Sequence, residues 1–215
     1  MDGLSRTTEA KSAETLAGEC RAGSEAAFAE LVGRFRQNLQ AFLHRLTGNR
    51  QDAEDLVQET FMQAFRQIGR YDQRHAFKAW LFTIGRNLAV SRLRRRRHEP
   101  VFMAPDALPD VPEPSAAPGG ALMAGEAWKC LREEMARLPS GQREALWLFH
   151  AEEMPAREIA LVLGKSALGV RVLLFRARRS LARRLSLQPA FAQAAATGAA
   201  EGAEPGNRVR ERSSL

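Results

Sequence analysis

The sequence has 215 residues, of which 45% are hydrophobic, and this is enough for one or two small domains with a core. The formal charge of +7 favours a polyanionic partner. The two cysteines, Cys20 and Cys130, show no CxxC or metal-ligand spacing, so we expect a reducing compartment and no structural disulfide. Because neither a membrane-spanning apolar run nor a signal-peptide pattern is present, a soluble, cytoplasmic protein is expected.

The N-terminal part predicts a short disordered segment followed by helices. Residues 1–15 are polar, and helical periodicity begins near Ala13. A long apolar face then runs to a break near Gly48-Asn49. Its members are Phe28, Leu31, Val32, Phe35, Leu39, Phe42, Leu43 and Leu46. We expect these helices to cover the core that the next segment forms.

A helix with two different faces is predicted from Asp52, a residue type that favours the N-cap position. An apolar stripe at helical spacing should face the core, and it comprises Ala53, Val57, Phe61, Ala64, Phe65 and Ile68. The second face carries Asp55, Gln58, Glu59 and Met62. This face is either a solvated surface or a docking surface for a basic partner.

After a predicted loop, Asp72 to His75, a second helix is expected from about Ala76. Its apolar stripe comprises Phe77, Trp80, Leu81, Ile84 and Leu88. The other side carries Arg86, Asn87, Ser91, Arg92 and Arg94, with Arg95 to Arg97 following. Guanidinium groups bind phosphate and an indole stacks on an unpaired base, so this helix suits nucleic acid. Helical spacing alone favours Trp80 as a core aromatic.

A linker and a second helical segment follow. Six prolines between Pro100 and Pro118 exclude a regular helix, so we predict a flexible linker over residues 99–124. Helical pattern resumes near Gly125, breaks at Pro139-Ser140-Gly141 and continues after Met154-Pro155. From residue 188 onward the chain is rich in alanine and glycine, and we predict a disordered tail over residues 188–215.

The last two helices of this segment meet the requirements of a helix-turn-helix. Ala160 supplies a small residue at the crossing, Gly164 tolerates a positive φ in the turn, and Val170 is a β-branched residue on the second helix. That helix, about Ala167 to Leu185, carries six arginines. An ordinary pair of packed helices with a basic surface is the alternative interpretation.

Three strings carry a resemblance to a known family. They are AEDLVQETF from Ala53, F-x-x-WLF-x-IGRN from Phe77, and the basic LRRRR from Leu93. In this order and spacing they resemble region two of bacterial RNA polymerase sigma factors, in the extracytoplasmic-function (ECF) branch of the sigma-70 family. The resemblance covers about residues 24–97 and resumes at about 126–185, where the helix-turn-helix resembles region four.

The resemblance implies an all-α fold with two small helical domains, region two over residues 16–98 and region four over 125–187. It implies a sigma factor that binds core RNA polymerase, recognises promoter DNA and supports promoter melting. It also implies no enzymatic activity, no cofactor, no metal and no small-molecule substrate. An anti-sigma factor is a possible further partner.

Site residues follow from the resemblance position by position. Core polymerase would contact Asp55, Gln58, Glu59 and Met62. The minus-ten element would contact Gln73, Arg74, His75, Ala76, Trp80, Arg86, Asn87, Arg92 and Arg94, with the loop from Gln73 to Ala76 capturing a flipped base. The helix-turn-helix would contact upstream DNA through Lys165, Ser166, Arg171, Phe175, Arg176, Arg178 and Arg179.

The second helix of the helix-turn-helix departs from the family pattern. ECF sigma factors usually carry T-V-K-S-R-L-x-R-A-R, whereas this chain has Val172-Leu173 in place of the Ser-Arg pair. Arginines remain for phosphate contacts, which position a protein without specifying a sequence. Val172, Leu173 and Phe175 then either touch thymine methyl groups or meet a protein, such as an anti-sigma factor or the polymerase flap.

Two other functions are kept open. A stand-alone helix-turn-helix regulator would explain residues 141–185 but not the stretch from Asp52 to Arg97. An enzyme acting on nucleic acid would need a metal or acid–base cluster, and the four histidines are scattered without ligand spacing.

Overall fold

The computed structural model describes residues 11–98 and 121–188, with side chains over 11–96 and 129–188. Within these ranges the protein consists of α-helices, with one 3-10 turn at Ile68–Arg70, and has no strand. The helices are α1 (Ala13–Arg21), α2 (Glu25–Thr47), α3 (Arg50–Gln67), α4 (Phe77–His98), α5 (Ala121–Ala136), α6 (Ser140–His150), α7 (Ala156–Leu163) and α8 (Ala167–Leu185). The predicted all-α fold is therefore confirmed.

Parts of the predicted linker and tail lie outside the described residues. These parts are residues 99–120 and 189–215. The domain boundaries at residues 98 and 125 therefore stay predictions, although α5 begins at Ala121 rather than near Gly125. None of the helices in the described ranges is both long enough and apolar enough to span a bilayer.

Side-chain caps fix where the first helices begin. The hydroxyl of Ser12 accepts a hydrogen bond from the backbone N–H of Thr15 at 3.1 Å, so α1 starts at Ala13, inside the segment 1–15 that the sequence predicted to be disordered. At α3 the N-cap is Asn49, whose Oδ1 accepts from the N–H of Asp52 at 3.0 Å. The prediction of Asp52 as N-cap was wrong, because its side chain is buried against α4.

Helices α2, α3 and α4 enclose the main core. Its largest fully buried side chains include Phe42, Phe77 and Phe82, and the rings of Phe42 and Phe82 lie 5.2 Å apart. Burying one such side chain stabilises the fold by about 1.5–3 kcal/mol. The predicted stripe of α3 is buried except for Phe65, which is 48% exposed and packs its ring on Phe28 with centroids 4.9 Å apart.

The chain divides into two compact units. The first contains α1 to α4, α6, α7 and α8 as far as Ala177. In it α4 packs against α7, and the guanidinium of Arg45 lies 3.7 Å from the ring centre of Trp147 in α6. The second unit contains α5 and α8 from Arg178, and within it Arg137 and Arg184 both pair with the buried Glu134.

The crossing of α4 with α2 and α3 requires a glycine. A Cβ at Gly85 would lie 3.1 Å from Leu39 Cδ1 and 3.2 Å from Thr60 Oγ1. Leu39 and Thr60 are fully buried, and the Thr60 hydroxyl donates to the carbonyl of Leu56 at 2.6 Å. Because both neighbours are buried in a close-packed core, a Cβ at Gly85 would force one of them or α4 to shift.

We therefore expect Gly85→Ala to lower the free energy of unfolding by about 1 kcal/mol or more, because overpacking outweighs the gain in helix propensity. Gly33→Ala is the matched control, since Gly33 lies inside α2 with nothing within 4 Å of its added Cβ. That control should raise the free energy of unfolding by about 0.5–1 kcal/mol. Urea denaturation measures both, and equal effects of the two substitutions would contradict the packing explanation.

Candidate nucleic-acid interface

The acidic face of α3 is joined to the end of α4 by arginines. Arg96 donates to both carboxylate oxygens of Asp52, with Nη2 2.6 Å from Oδ1. Arg92 Nη1 lies 3.6 Å from Asp52 Oδ1 and 3.8 Å from Asp55 Oδ2, and its Nη2 lies 3.5 Å from Glu59 Oε2. Arg92, predicted as a DNA ligand, is thus half-buried among three carboxylates of α3.

The four side chains predicted to meet polymerase share one face of α3. Asp55, Gln58 and Met62 are exposed and Glu59 is half-buried. Phe65 extends the face by a further turn, and the sequence had assigned it to the core. Its spacing of three from Met62 is the signal that places it on this face. The ion pairs with Arg92 hold the carboxylates in position while leaving about half of their side-chain surface open to a partner.

The loop between α3 and α4 is held in shape by its own residues. The hydroxyl of Tyr71 donates to the carbonyl of His75 at 2.6 Å, and the N–H of His75 donates to the carbonyl of Asp72 at 3.1 Å. Arg74 donates from Nε and Nη2 to Asp72, and these hydrogen bonds lower the pKa of Asp72 to about 2. Gln73, Arg74 and His75 are exposed and Ala76 is half-buried.

Trp80 belongs to an aromatic cluster directly beside this loop. Its ring centre lies 5.2 Å from that of Tyr71 and 5.6 Å from that of Phe77. Tyr71 and Phe77 are buried, whereas Trp80 is half-buried. The indole is therefore a core aromatic on one side and keeps part of its surface accessible next to the exposed loop.

The sequence predicted that Arg86 contacts DNA, but Arg86 does not lie on an open side of α4. Its Nε donates to Oε2 of Glu144 in α6 at 2.6 Å, and its side chain is only 19% exposed. Near the start of α4, Lys78 pairs with Glu152 at 2.6 Å, and Glu152 also accepts from Asn38 at 3.0 Å. Glu144 and Glu152, which are distant from α4 in sequence, supply the acidic partners. Their contacts cover one flank of α4.

Two of the predicted DNA ligands on α4, Asn87 and Arg94, are exposed. Together with the loop and the accessible part of Trp80, they form the open portion of the predicted minus-ten surface. Arg86 and Arg92 lie within the same helix but are engaged by carboxylates in this structure.

The predicted helix-turn-helix geometry is present in α7 and α8. Gly164 has φ 61° and ψ 43°, and the N–H of Lys165 donates to the carbonyl of Ala160 at 2.9 Å. Val170 is fully buried at the crossing. The hydroxyl of Ser166 accepts from the N–H of Gly169 at 3.1 Å, which is the geometry of an N-terminal cap for α8.

The outward side of α8 combines cations with large apolar groups. Every side chain predicted to meet DNA here is exposed: Lys165, Ser166, Arg171, Phe175, Arg176, Arg178 and Arg179. The structure separates the two apolar residues that depart from the family pattern, because Val172 is exposed and Leu173 is half-buried. It also adds Leu168, which sequence inspection missed and which is 69% exposed.

Comparison with known proteins agrees with both halves of this arrangement. The family described as Sigma-70 region 2 matches residues 31–99, and the family described as Sigma-70, region 4 matches residues 128–181, which together exceed half of the chain. The probable RNA polymerase sigma factor RfaY of Xanthomonas campestris is 31% identical over 83% of this chain. The chain spans about half of that relative, since the match covers 46% of its length.

Two further matches extend over most of the compared protein. The ECF RNA polymerase sigma factor SigM of Bacillus subtilis is 32% identical over 71% of this chain and 91% of its own length. The sigma factor RpoE of Bartonella quintana, solved in complex with the anti-sigma factor NepR, is similar in fold with a TM-score of 0.60. It is 27% identical, and the match covers 75% of this chain and 98% of the solved chain.

Titration of the Tyr71 hydroxyl reports directly on the folded loop, because Tyr71 is the sole tyrosine of the sequence. Burial, followed by the charges of Glu14, Asp72 and Glu158, raises the pKa of Tyr71 to about 12. We expect the ultraviolet absorbance of phenolate to appear with a midpoint near this value in the folded chain. In denaturant the midpoint should return to about 10, the ordinary value for tyrosine.

The direction of the linked change in stability follows from the same shift. Between about pH 10 and 12 the folded state retains a proton that the unfolded state releases, so this contribution to stability is lost as pH rises through that window. Circular dichroism recorded in parallel shows whether the helices persist. A phenolate midpoint near 10 with intact helix signal would contradict the buried position, and Tyr71→Phe should remove the absorbance change entirely.

Proposed function

The chain belongs to the ECF branch of the sigma-70 family, and from this membership we propose that it binds core RNA polymerase and directs it to promoters. The observation that carries the proposal is the presence of both matched regions in one chain, with an exposed acidic, amide and methionine face on α3. The function of a stand-alone helix-turn-helix regulator would not require that face of α3. The proposal includes no enzymatic activity.

Docking on polymerase is assigned to Asp55, Gln58, Glu59 and Met62. The carboxylates suit a basic partner surface, and the flanking Met62 and Phe65 supply apolar area that a partner can bury. Arg92 lies within ion-pairing distance of Asp55 and Glu59, which favours orientations of these carboxylates toward α4. By resemblance to region two, the proposed partner of this face is the clamp helices of the largest polymerase subunit.

Promoter opening is assigned to the loop from Gln73 to Ala76 and to Trp80. Extruding a base from a duplex costs a few kcal/mol, so a preformed pocket that holds the extruded base couples recognition to strand separation. The Tyr71 and Asp72 hydrogen bonds preform this loop. The accessible part of Trp80 adds a surface on which an unpaired base can stack, and Asn87 and Arg94 continue the path along α4.

Several of the assigned side chains must change partners before they contact DNA. Arg86 has to leave Glu144, and Arg92 has to leave the carboxylates of α3. Breaking the buried Arg86 pair leaves a carboxylate to be solvated, so this contact is expected to form only when DNA phosphate replaces Glu144. In the exposed loop, Arg74 is likewise paired with Asp72 and has to leave that carboxylate before it binds phosphate.

An anti-sigma factor is proposed as a further partner. Support comes from the similar sigma factor RpoE of Bartonella quintana, whose structure was solved with the anti-sigma factor NepR. Co-purification of the tagged chain from its native cell tests this partner. Recovery of polymerase subunits without any inhibitor, across both membrane and soluble fractions, would count against it.

The first experiment measures binding of the full chain to sigma-free core RNA polymerase, followed by run-off transcription on genomic fragments. Wild type should bind and produce new transcripts, whereas Asp55→Ala/Gln58→Ala should lose affinity by about tenfold or more, because two centrally placed polar contacts are removed. The matched control is Glu25→Ala/Gln37→Ala, which likewise removes one carboxylate and one amide, from exposed positions of α2.

The outcomes separate the proposal from its main competitor. Equal affinity of both double variants would remove α3 from the polymerase contact. Absence of polymerase binding, together with a footprint on DNA by the chain alone, would favour the stand-alone regulator. Circular dichroism of each variant checks that the helices are retained.

A further inference from the structure

An apolar stripe runs along the exposed side of α8. At 3.6 residues per turn, Leu168, Val172 and Phe175 fall within an arc of about 60°. Their exposed fractions are 69%, 39% and 64%. The opposite side of the helix comprises the buried residues Val170, Leu174 and Ala177. Packing on that side fixes the direction in which the stripe faces.

Arginines flank the stripe on both sides. Arg171 lies about 60° from Leu168 in one direction and Arg176 about 80° in the other, and both are exposed. Arg179 continues the stripe one turn beyond Phe175. The sequence of α8 contains no acidic residue. The face is thus an apolar centre with an exposed arginine on either side.

The major groove of DNA has the complementary arrangement. Phosphates bound the groove on both edges, and the C5 methyl of thymine is the apolar group that base edges present inside it. Leu168 and Phe175 are separated by about 10 Å along the helix axis, which corresponds to about three base-pair steps. An apolar side chain cannot hydrogen-bond a base edge, and the nearby Ser166 hydroxyl already caps the helix.

We propose that α8 recognises the upstream promoter element by contacting thymine methyl groups through Leu168, Val172 and Phe175, while the flanking arginines bind phosphate. This inference rests on the proposed function and names the chemical group that the second helix reads. A protein helix with an apolar centre would need acidic residues along both of its edges to fit the same face. DNA meets that requirement at every position, because both strands carry phosphate.

The test changes the DNA by single methyl groups. Promoters from the run-off experiment are synthesised with each upstream thymine replaced in turn by deoxyuridine, which pairs with adenine but lacks the C5 methyl. Binding is measured with the full chain plus core polymerase, and also with the full chain alone on the same duplexes. We expect a loss of about fourfold at two or more thymines within about four base pairs, the factor that corresponds to burial of one methyl-sized group.

Protein variants then assign each methyl to a side chain. Phe175→Ala and Val172→Ala should each weaken binding to the thymine duplex and lose the response to deoxyuridine at one position, while responses elsewhere persist. Leu187→Ala is the matched control, because Leu187 is 78% exposed but lies beyond the end of α8. The control should retain every deoxyuridine response.

Each remaining outcome overturns the inference in a recognisable way. Transcription that is indifferent to deoxyuridine at every upstream position leaves the sigma role intact and removes methyl recognition. If Phe175→Ala nevertheless abolishes transcription, the stripe contacts a protein instead. If the chain neither supports transcription nor binds any of the duplexes alone, the proposed function and this inference fail together.

Discussion

The close approach of α4 to α2 and α3 at Gly85 is the constraint on which the first compact unit depends. A Cβ at Gly85 would lie only 3.1 Å from Leu39 Cδ1 and 3.2 Å from Thr60 Oγ1. Gly85, Arg92 and Arg96 lie on one face of α4, because they are separated by about two and three helical turns. On α3, Thr60 and Asp52 are likewise about two turns apart. The contact at Gly85 therefore sets the distance at which the arginines reach Asp52.

Arg92 and Arg96 also separate the acidic face of α3 from the predicted minus-ten surface of region two. Arg92 and Arg96 pair with the inner edge of the acidic α3 face, and Asp55 and Glu59 keep about half of their side-chain surface exposed. A cation needed for structure is not simultaneously available to nucleic acid. The predicted minus-ten surface consequently has its open part at the loop, Trp80, Asn87 and Arg94, where no described carboxylate of α3 is engaged.

Within the helix-turn-helix, the residues that set the helix crossing differ from those that form the exposed surface. Val170 and Gly164 determine how α7 and α8 cross, and neither contributes to the exposed apolar stripe that would meet a partner. The stripe and its flanks combine arginine with Leu168, Val172 and Phe175. Burying those apolar groups against a partner is favourable by the hydrophobic effect, whereas leaving them in water carries no benefit for the isolated chain.

Sequence periodicity was sufficient to predict the helices and the residue types that lie on most of their faces. The break at Pro139, the turn at Gly164 and the buried Val170 all follow from local stereochemistry, which depends on neighbouring residues alone. The sequence motifs that resemble the family indicated the α3 face and the loop before α4, because each of these two features is continuous in sequence. The start of helical periodicity near Ala13 agrees with α1, whereas the boundary of α3 was less accurate, since Asn49 acts as its cap through a single hydrogen bond.

Tertiary structure alone decided which charged residues are engaged by distant partners. Asp52 and Arg96 are 44 residues apart, and Arg86 and Glu144 are 58 residues apart, so no helical period relates them. Phe65 and Leu168 also depended on the fold, because an apolar residue at the edge of a stripe is buried only if a neighbouring helix reaches it. The sequence by itself determined the helices and the family of this chain. Contacts between distant helices determined which of its charged and apolar side chains face a partner, because pairing and burial depend on distances that local sequence does not encode.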